Sequence, residues 1–393
     1  MNNIAEQIVQ DVQNAESSFF KFISANDVGK TTKGNTRSHQ SGYYIPISFC
    51  EKIFETAIQR GTDYEQFVTV KWQNDFETDS RFKFFGSKNE CHLTRLGRDF
   101  PFRKDDNMGD VIIISKVDKE HYKAYVLSTD DDIEEVFAAL NISAGDTNRI
   151  ISKKESINAD SALLQCFHLF VKELNRRFPT TTVLSKRARD CYNSCYNITN
   201  EIVKQKPDES LLRWLDSEFQ LFKAIELNFY SEMLTTPFSG IEELIEIANT
   251  ILNRRKSRAG KSLEHHLGKI FEIFGLDFSP QAVTEGKKKP DFIFPSGELY
   301  QNKRYDPSKL VFLAAKTTCK DRWRQIINEA DRIRIKHLFT LQESISKNQL
   351  DEMYGHNVKL VVPELKLKTF PEEYQNKIFT LQNFIDYTVS IQR

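Results

Sequence analysis

Apolar and polar positions divide the chain into two textures. Before residue 155 the apolar residues come in short runs: GYYIPI (42–47), QFVTVKW (66–72), RFKFF (81–85), HLTRL (92–96), DVIIIS (110–115) and YKAYVLS (122–128). They are rich in aromatic and β-branched residues, and Gly, Asn and Asp punctuate them. That pattern predicts the strands of a β-barrel or sandwich. A helix is expected near 3–24. DDIEEVFAAL (131–140) predicts another, because its acidic start suits the positive end of a helix dipole.

After residue 155 the period lengthens. ADSALLQCFHLFVKELNRRF (159–178) repeats at helical spacing, and FPTTT (178–182) breaks it with Pro179 and three threonines. Residues 178–182 are therefore read as a linker between a first domain, 1–177, and a second, 183–393. From 184 to 275 the chain reads as mostly helical, interrupted near KPDES (206–210) and TTPFSG (235–240). PDFIFP (290–295), LVFLAAK (310–316) and VKLVVP (358–363) are short apolar runs, with DRWRQIINEADRIRIKH (321–337) predicted as a helix between the last two. Helices flanking a few buried strands indicate an α/β domain.

Composition narrows the function classes. With 393 residues, 39% hydrophobic and 28% charged, the chain can bury a core, which excludes a disordered polymer. Lys+Arg and Asp+Glu each total 55, so a uniformly basic protein is excluded and only local basic patches remain open. No apolar run approaches the ~18 residues of a membrane span. The start of the chain lacks the basic segment and apolar stretch of a secretory signal. Six cysteines, at 50, 91, 166, 191, 195 and 319, form no CxxC pair and no zinc spacing. A soluble, reduced, cytoplasmic protein without a membrane partner is expected, with Cys191 and Cys195 as two solitary thiols on one helix face. GKTT (29–32) invites a phosphate-loop reading. The glycine required five residues earlier is Ser24, and the preceding segment reads as helix rather than strand, so a polar loop is expected.

The chemistry is concentrated in 254–329. RRKSRAGKSLEHH (254–266) places five cations in eight positions before Glu264. TEGKKKPDFIF (284–294) sets Asp291 at the start of a strand. LAAKTTCKDRWRQIINEA (313–330) ends a strand at Lys316 and continues to Glu329, expected on a packed helix. Carboxylates grouped near one lysine, amid Arg and Lys, suit phosphodiester hydrolysis. Carboxylate oxygens hold Mg²⁺, which lowers the pKa of a bound water, and the cations offset phosphate repulsion. On spacing alone, a solvated charged surface remains the alternative.

These residues resemble the EcoRII family of restriction endonucleases. SRAGKSLEHHL, TEGKKKPDF, KTTCKDRWRQIINEADRI, HLFTLQE and LVVP match its catalytic domain. SANDVG (24–29), HQSGYYIP (39–46), LTRLGR (93–98) and LSTDDD (127–132) match its effector domain. The resemblance implies two domains: an N-terminal B3-like DNA-binding pseudobarrel and a C-terminal α/β restriction-endonuclease-like core of variant PD-(D/E)xK type. Ala314 stands where the usual motif has its second acid, and in this family a following helix supplies that carboxylate. Asp291, Lys316, Glu329 and Glu264 would be catalytic, with Mg²⁺ on Asp291 and Glu329. Lys320, Asp321 and Arg322 would read adjacent C:G pairs of a CCWGG-like target, a cation on guanine and a carboxylate on cytosine.

The implied effector domain binds a second copy of the target and relieves inhibition. His39, Tyr44, Lys88, Glu90, His92, Arg95 and Arg98 are its candidate contacts, with Lys30, Lys33 and Arg37 in the same loop as His39. Cys91 and His92 depart from the basic residues the pattern leads one to expect. Double-stranded DNA, a second protomer in a homodimer and a cognate methyltransferase are the implied partners. The competing reading is a DNA-binding regulator with a degenerate nuclease core.

Overall fold

The computed structural model describes residues 3–29, 42–151, 160–175 and 177–393. Its first sheet has eight strands: β1 (Ser17–Phe22), β2 (Tyr43–Ile45), β3 (Tyr64–Trp72), β4 (Glu77–Phe85), β5 (Glu90–Thr94), β6 (Val111–Lys116), β7 (His121–Leu127) and β8 (Ile150–Ile151). Their order is β2-β5-β4-β3-β7-β6-β1-β8. The β3–β7 pair is parallel and the other pairs are antiparallel. All six strands expected in this half are present.

The expected helix over 3–24 is cut short. Helix α1 covers Asn3–Asn14, and β1 follows it. All six residues of β1 are buried, and it pairs with β6 and β8 on its two sides. A strand buried on both faces lacks alternation, so periodicity cannot separate it from a helix. Phe19 and Phe20 face opposite cores. Phe20 joins Ala5 and Ile8 of α1 and Val136 of α3 (Asp130–Leu140). Phe19 joins Phe49 and Ile53 of α2 (Ile47–Phe54).

A helical layer follows: α4 (Ser161–Glu173), α5 (Thr181–Tyr196), α6 (Asn200–Gln205), α7 (Pro207–Thr235) and α8 (Ile241–Phe274). The predicted breaks fall at real boundaries, Pro207 opening α7 and Gly240 capping α8. The segment 178–182, expected as a linker, spans the end of the α4–α5 connection and the start of α5. Thr180 caps α5, and Thr181 and Thr182 already belong to that helix. Leu163, Phe167 and Phe170 of α4 share one core with Leu184, Ala188 and Phe222, so α4 packs with the helices that follow it. A disulfide joins Cys166 to Cys191, which corrects the reading of Cys191 as a solitary thiol. Helical spacing from Cys195 gives no information about a partner on another helix.

The second sheet comprises β9 (Ser279–Pro280), β10 (Phe292–Phe294), β11 (Val311–Lys316), β12 (Lys336–Thr340), β13 (Val358–Val362) and β14 (Phe379–Thr380), ordered β14-β13-β12-β11-β10-β9. β11 to β14 are parallel, and β9 and β10 are antiparallel additions. Alternate residues face two cores. Phe292, Leu313 and Phe339 pack on Leu267 and Phe271 of α8, while Phe312, Leu338 and Leu360 pack on Trp323 and Met353.

The helix expected over 321–337 is a correction. After α9 (Gly297–Gln301), α10 covers only Trp323–Ile326, and β12 begins at Lys336. Lys336 and His337 read as polar surface but are buried in a central strand, where Lys336 Nζ donates to Ala330 O at 2.5 Å. Pairing on both edges outweighs their local preference. One apolar cluster runs from α1 and α3 into α8 and this sheet, joining both halves of the molecule. No helix among the described residues is long and apolar enough to cross a membrane.

Candidate active site and its interdomain cover

The buried stripe Leu263, Leu267, Ile270 and Phe271 seats α8 on the second sheet. Glu264 rides beside that stripe. The next residue pair turns elsewhere: His266 is buried 2.8 Å from Glu218, itself buried in the helical layer. Antiparallel register sets Phe292 against Leu313 and so brings the start of β10 to the end of β11. Asp291 and Lys316 meet there, with Lys316 Nζ 3.2 Å from Asp291 Oδ2. The backbone N–H of Ala315 donates to the same oxygen at 2.8 Å.

A residue that the sequence reading did not single out completes the group. Gln281 Nε2 donates to Asp291 Oδ1 and to Glu264 Oε2, each at 3.0 Å. Lys261, one turn back on α8, donates to Glu264 at 2.9 and 3.0 Å. Gln281 sits in an SPQAV segment without charge or motif, and only the β9–β10 pairing brings it here.

Glu329 lies on the bend after α10 and not on a helix as expected. Burial pushes its carboxyl above the ordinary value. The Asp291 charge adds to the shift, while Lys316, Lys336 and Lys288 oppose it. Burial also raises Glu264. Lys261 and Lys316 oppose that shift, and Asp291 adds to it. All four expected catalytic side chains therefore share one electrostatic neighbourhood. Burial holds the nearby Lys336 ammonium down to about 8. Among the described residues, no three His, Cys, Asp or Glu side chains approach closely enough to enclose a metal ion.

Glu264 and Lys316 line a cleft of about 560 Å³ whose far wall is the N-terminal half, including Phe137, Asn141 and Ala144. The expected recognition triplet lies against that half. Lys320 is 8% exposed, with Nζ 2.5 Å from Asp110 Oδ1 and donating to Asp106 O and Met108 O at 2.6 and 3.1 Å. The backbone N–H groups of Asp321 and Arg322 donate to Asp130 Oδ2 at 2.9 and 3.0 Å. Arg322 Nη2 donates to Asp131 at 3.1 Å and also to Glu134. The neighbouring Asp130 carboxylate, then burial, push the Asp321 carboxyl up to about 6.

The effector candidates gather at the β2–β5 edge. Tyr44 pairs with His92 in register, their rings 6.0 Å apart, and His92 Nε2 lies 3.3 Å from Glu90. Phe85, not expected from sequence, contacts the other side of His92 at 6.0 Å. Arg95 stacks over Phe67 at 5.3 Å, and Phe67 is 56% exposed. Lys88 and Arg98 are exposed on the flanking turns. His39, with Lys30, Lys33 and Arg37, lies outside the described residues.

Comparison with known proteins adds an independent line. The family model described as EcoRII C terminal matches residues 222–385, and that of restriction endonuclease EcoRII, N-terminal, matches 13–149. The type II restriction enzyme EcoRII of Escherichia coli is 33% identical over 389 residues, covering 93% of this chain and 92% of its own. The type II restriction enzyme SsoII of Shigella sonnei is 25% identical over 235 residues, 52% of this chain and 73% of its own. A solved structure of metal-depleted Ecl18kI with uncleaved, modified DNA aligns at 22% identity and TM-score 0.46, over 59% of this chain and 85% of that one. A complex of restriction endonuclease PspGI with substrate DNA aligns at 18% identity and TM-score 0.46, over 55% and 93%.

Proposed function

Since the chain belongs to the EcoRII family of type II restriction endonucleases, we propose that Asp291, Lys316, Glu329 and Glu264 form its site for hydrolysing double-stranded DNA. The observation that carries this assignment is the 3.2 Å contact of Lys316 with Asp291, joined through Gln281 to Glu264. A degenerate core in a DNA-binding regulator would have no need to keep that contact.

The donor set suits a hard cation. Asp291 and Glu264 approach one amide, and Glu329 shares their field. Mg²⁺ is commonly held by one or two carboxylates plus water and substrate phosphate. The residues proposed to hold it are Asp291 and Glu329. When bound, the ion supplies a water of lowered pKa and neutralises charge at the phosphate. The chain's own groups do the rest. Ala315 N–H and Lys316 fix the Asp291 carboxylate, and Lys316 keeps further N–H donors for an incoming phosphate oxygen. Exposed Lys287, Lys288 and Lys289, just before Asp291, attract the DNA backbone.

The target is proposed to contain CC/GG, read by Lys320, Asp321 and Arg322. These side chains contact Asp110, the Asp130 backbone N–H, Asp131 and Glu134, so the N-terminal half competes with DNA for them. This competition is the proposed inhibition. Effector DNA bound at Tyr44, Lys88, Glu90, His92, Arg95 and Arg98 would release it. The eight-stranded sheet is read as the B3-like module. The effector unit is proposed to end ahead of α4, because α4 shares its core with α5 and α7. A homodimer matches a palindromic target, and a cognate methyltransferase would protect host DNA.

The test is to digest a random duplex library with and without Mg²⁺ and to sequence the ends. Mg²⁺-dependent ends sharing CC/GG support the reading. Binding without scission would favour the regulator.

A further inference from the structure

We propose that Gln281 is a positioning residue of the metal site, its amide tying Asp291 to Glu264 and so fixing the Asp291 carboxylate for the cation. The inference rests on reading these carboxylates as the surroundings of a divalent ion. An amide nitrogen carries two N–H donors, and Gln281 Nε2 is 3.0 Å from Glu264 Oε2 and 3.0 Å from Asp291 Oδ1. The lysines divide the same two acids between them. Lys261 donates to Glu264, and Lys316 donates to Asp291. Gln281 is the group that spans both.

The backbone supports this placement. Gln281 has φ +50, a left-handed conformation that side-chain-bearing residues rarely adopt. It lies directly after the two-residue strand β9, and its N–H donates to Asp291 O at 3.2 Å. The β9–β10 pairing therefore imposes the unusual φ and aims the side chain into the acids. Such strain tends to persist where the surrounding structure over-determines it, often at functional sites. Groups that orient metal-ligating carboxylates typically change metal affinity 10- to 100-fold when removed.

The experiment titrates Mn²⁺ into the full chain and follows the free ion by electron paramagnetic resonance. Gln281→Met keeps the length and removes both donors. Its dissociation constant for Mn²⁺ is expected to rise about tenfold or more. Cleavage should recover toward wild type at saturating metal, and thermal unfolding without metal should be nearly unchanged. Gln281→Asn keeps an amide and suits a left-handed backbone better, but is one methylene too short to span both acids. It should bind as weakly as the Met variant. Wild-type affinity in Gln281→Met overturns the inference. Wild-type affinity in Gln281→Asn alone also overturns it, placing the role in the backbone. Should the wild-type chain take up no Mn²⁺, the metal reading itself fails and the inference fails with it.

Discussion

Asp130 and Asp321, 191 positions apart, hold one another's backbone. Asp130 N–H donates to Asp321 Oδ1 at 3.2 Å, and Asp321 N–H donates to Asp130 Oδ2 at 2.9 Å. The first turn of α3 is thereby fastened to the turn that follows β11. Asp110 on Lys320 and Glu134 on Arg322 extend the contact on both sides.

Breaking this fastening should open the cleft lined by Glu264 and Lys316. Asp130→Ala removes the acceptor of two backbone N–H groups, and Glu134→Gln weakens the Arg322 pair. Couplings of this kind are typically worth 5- to 150-fold. Cleavage of a plasmid carrying one target should rise within that range in the double variant, while cleavage of a two-target plasmid should change little. An unchanged single-target rate would count against the competition model.

The contact should also loosen with rising pH. Asp321 is pushed up to about 6, chiefly by its hydrogen bond with Asp130, and burial raises Asp110 in the same direction. The closed arrangement thus keeps a proton that a free aspartate releases near pH 4. Its contribution is complete below that ordinary value and is lost as pH passes through 6. Hydrogen exchange of the Asp321 and Arg322 backbone N–H groups, corrected for its intrinsic pH dependence, should quicken from pH 5 to 7.5 as the Asp130–Asp321 contact loosens. Asp321→Asn should flatten the response.

Lys316→Ala and Asp291→Ala should each lower strand scission on the order of 10³-fold while duplex binding is retained. A gel-shift assay beside a cleavage time course checks both halves of the expectation. Persistent scission in either purified variant would remove the assignment.

Glu329→Gln should abolish cleavage and yet stabilise the metal-free fold above the ordinary carboxylate range. The folded chain holds this carboxyl above its unfolded value, with burial the main cause. Stability is therefore full below about pH 4 and falls as pH rises through the raised value, where the buried charge must form. Glutamine carries no charge, so the melting temperature of the variant should exceed wild type at pH 7.5 and match it near pH 4.

A nuclease fragment that starts at 160 should be sturdier than one that starts at 183. The shorter piece uncovers Leu184, Ala188 and Phe222 by losing Leu163, Phe167 and Phe170. Loss of such packing costs several kcal/mol. Melting curves of the two fragments decide. Both should cut single-target DNA without effector.

Legibility followed the range of the interaction. Alternating runs such as QFVTVKW sit half-buried and revealed their strands, because one side chain in two faces a core. β1 and β12 were missed for opposite reasons. SSFFKF is buried on both faces and has no period, whereas Lys336 and His337 hide charge and polarity inside a central strand. At the site, Asp291, Lys316, Glu264 and Glu329 were named from residue type and family pattern. Gln281 was not, since an uncharged side chain acquires its role only from the β9–β10 pairing. The grip of Asp110, Asp130 and Glu134 on the triplet arises between halves of the chain, and no local spacing encodes it.

Under the proposed reading, the side chains of Lys320, Asp321 and Arg322 answer to two masters, an acidic protein surface and a base pair. Drift in these three positions is then constrained twice. A substitution that retunes target preference also resets how readily the enzyme sheathes itself, so new specificities would have to arise together with compensating changes at Asp110, Asp130 or Glu134.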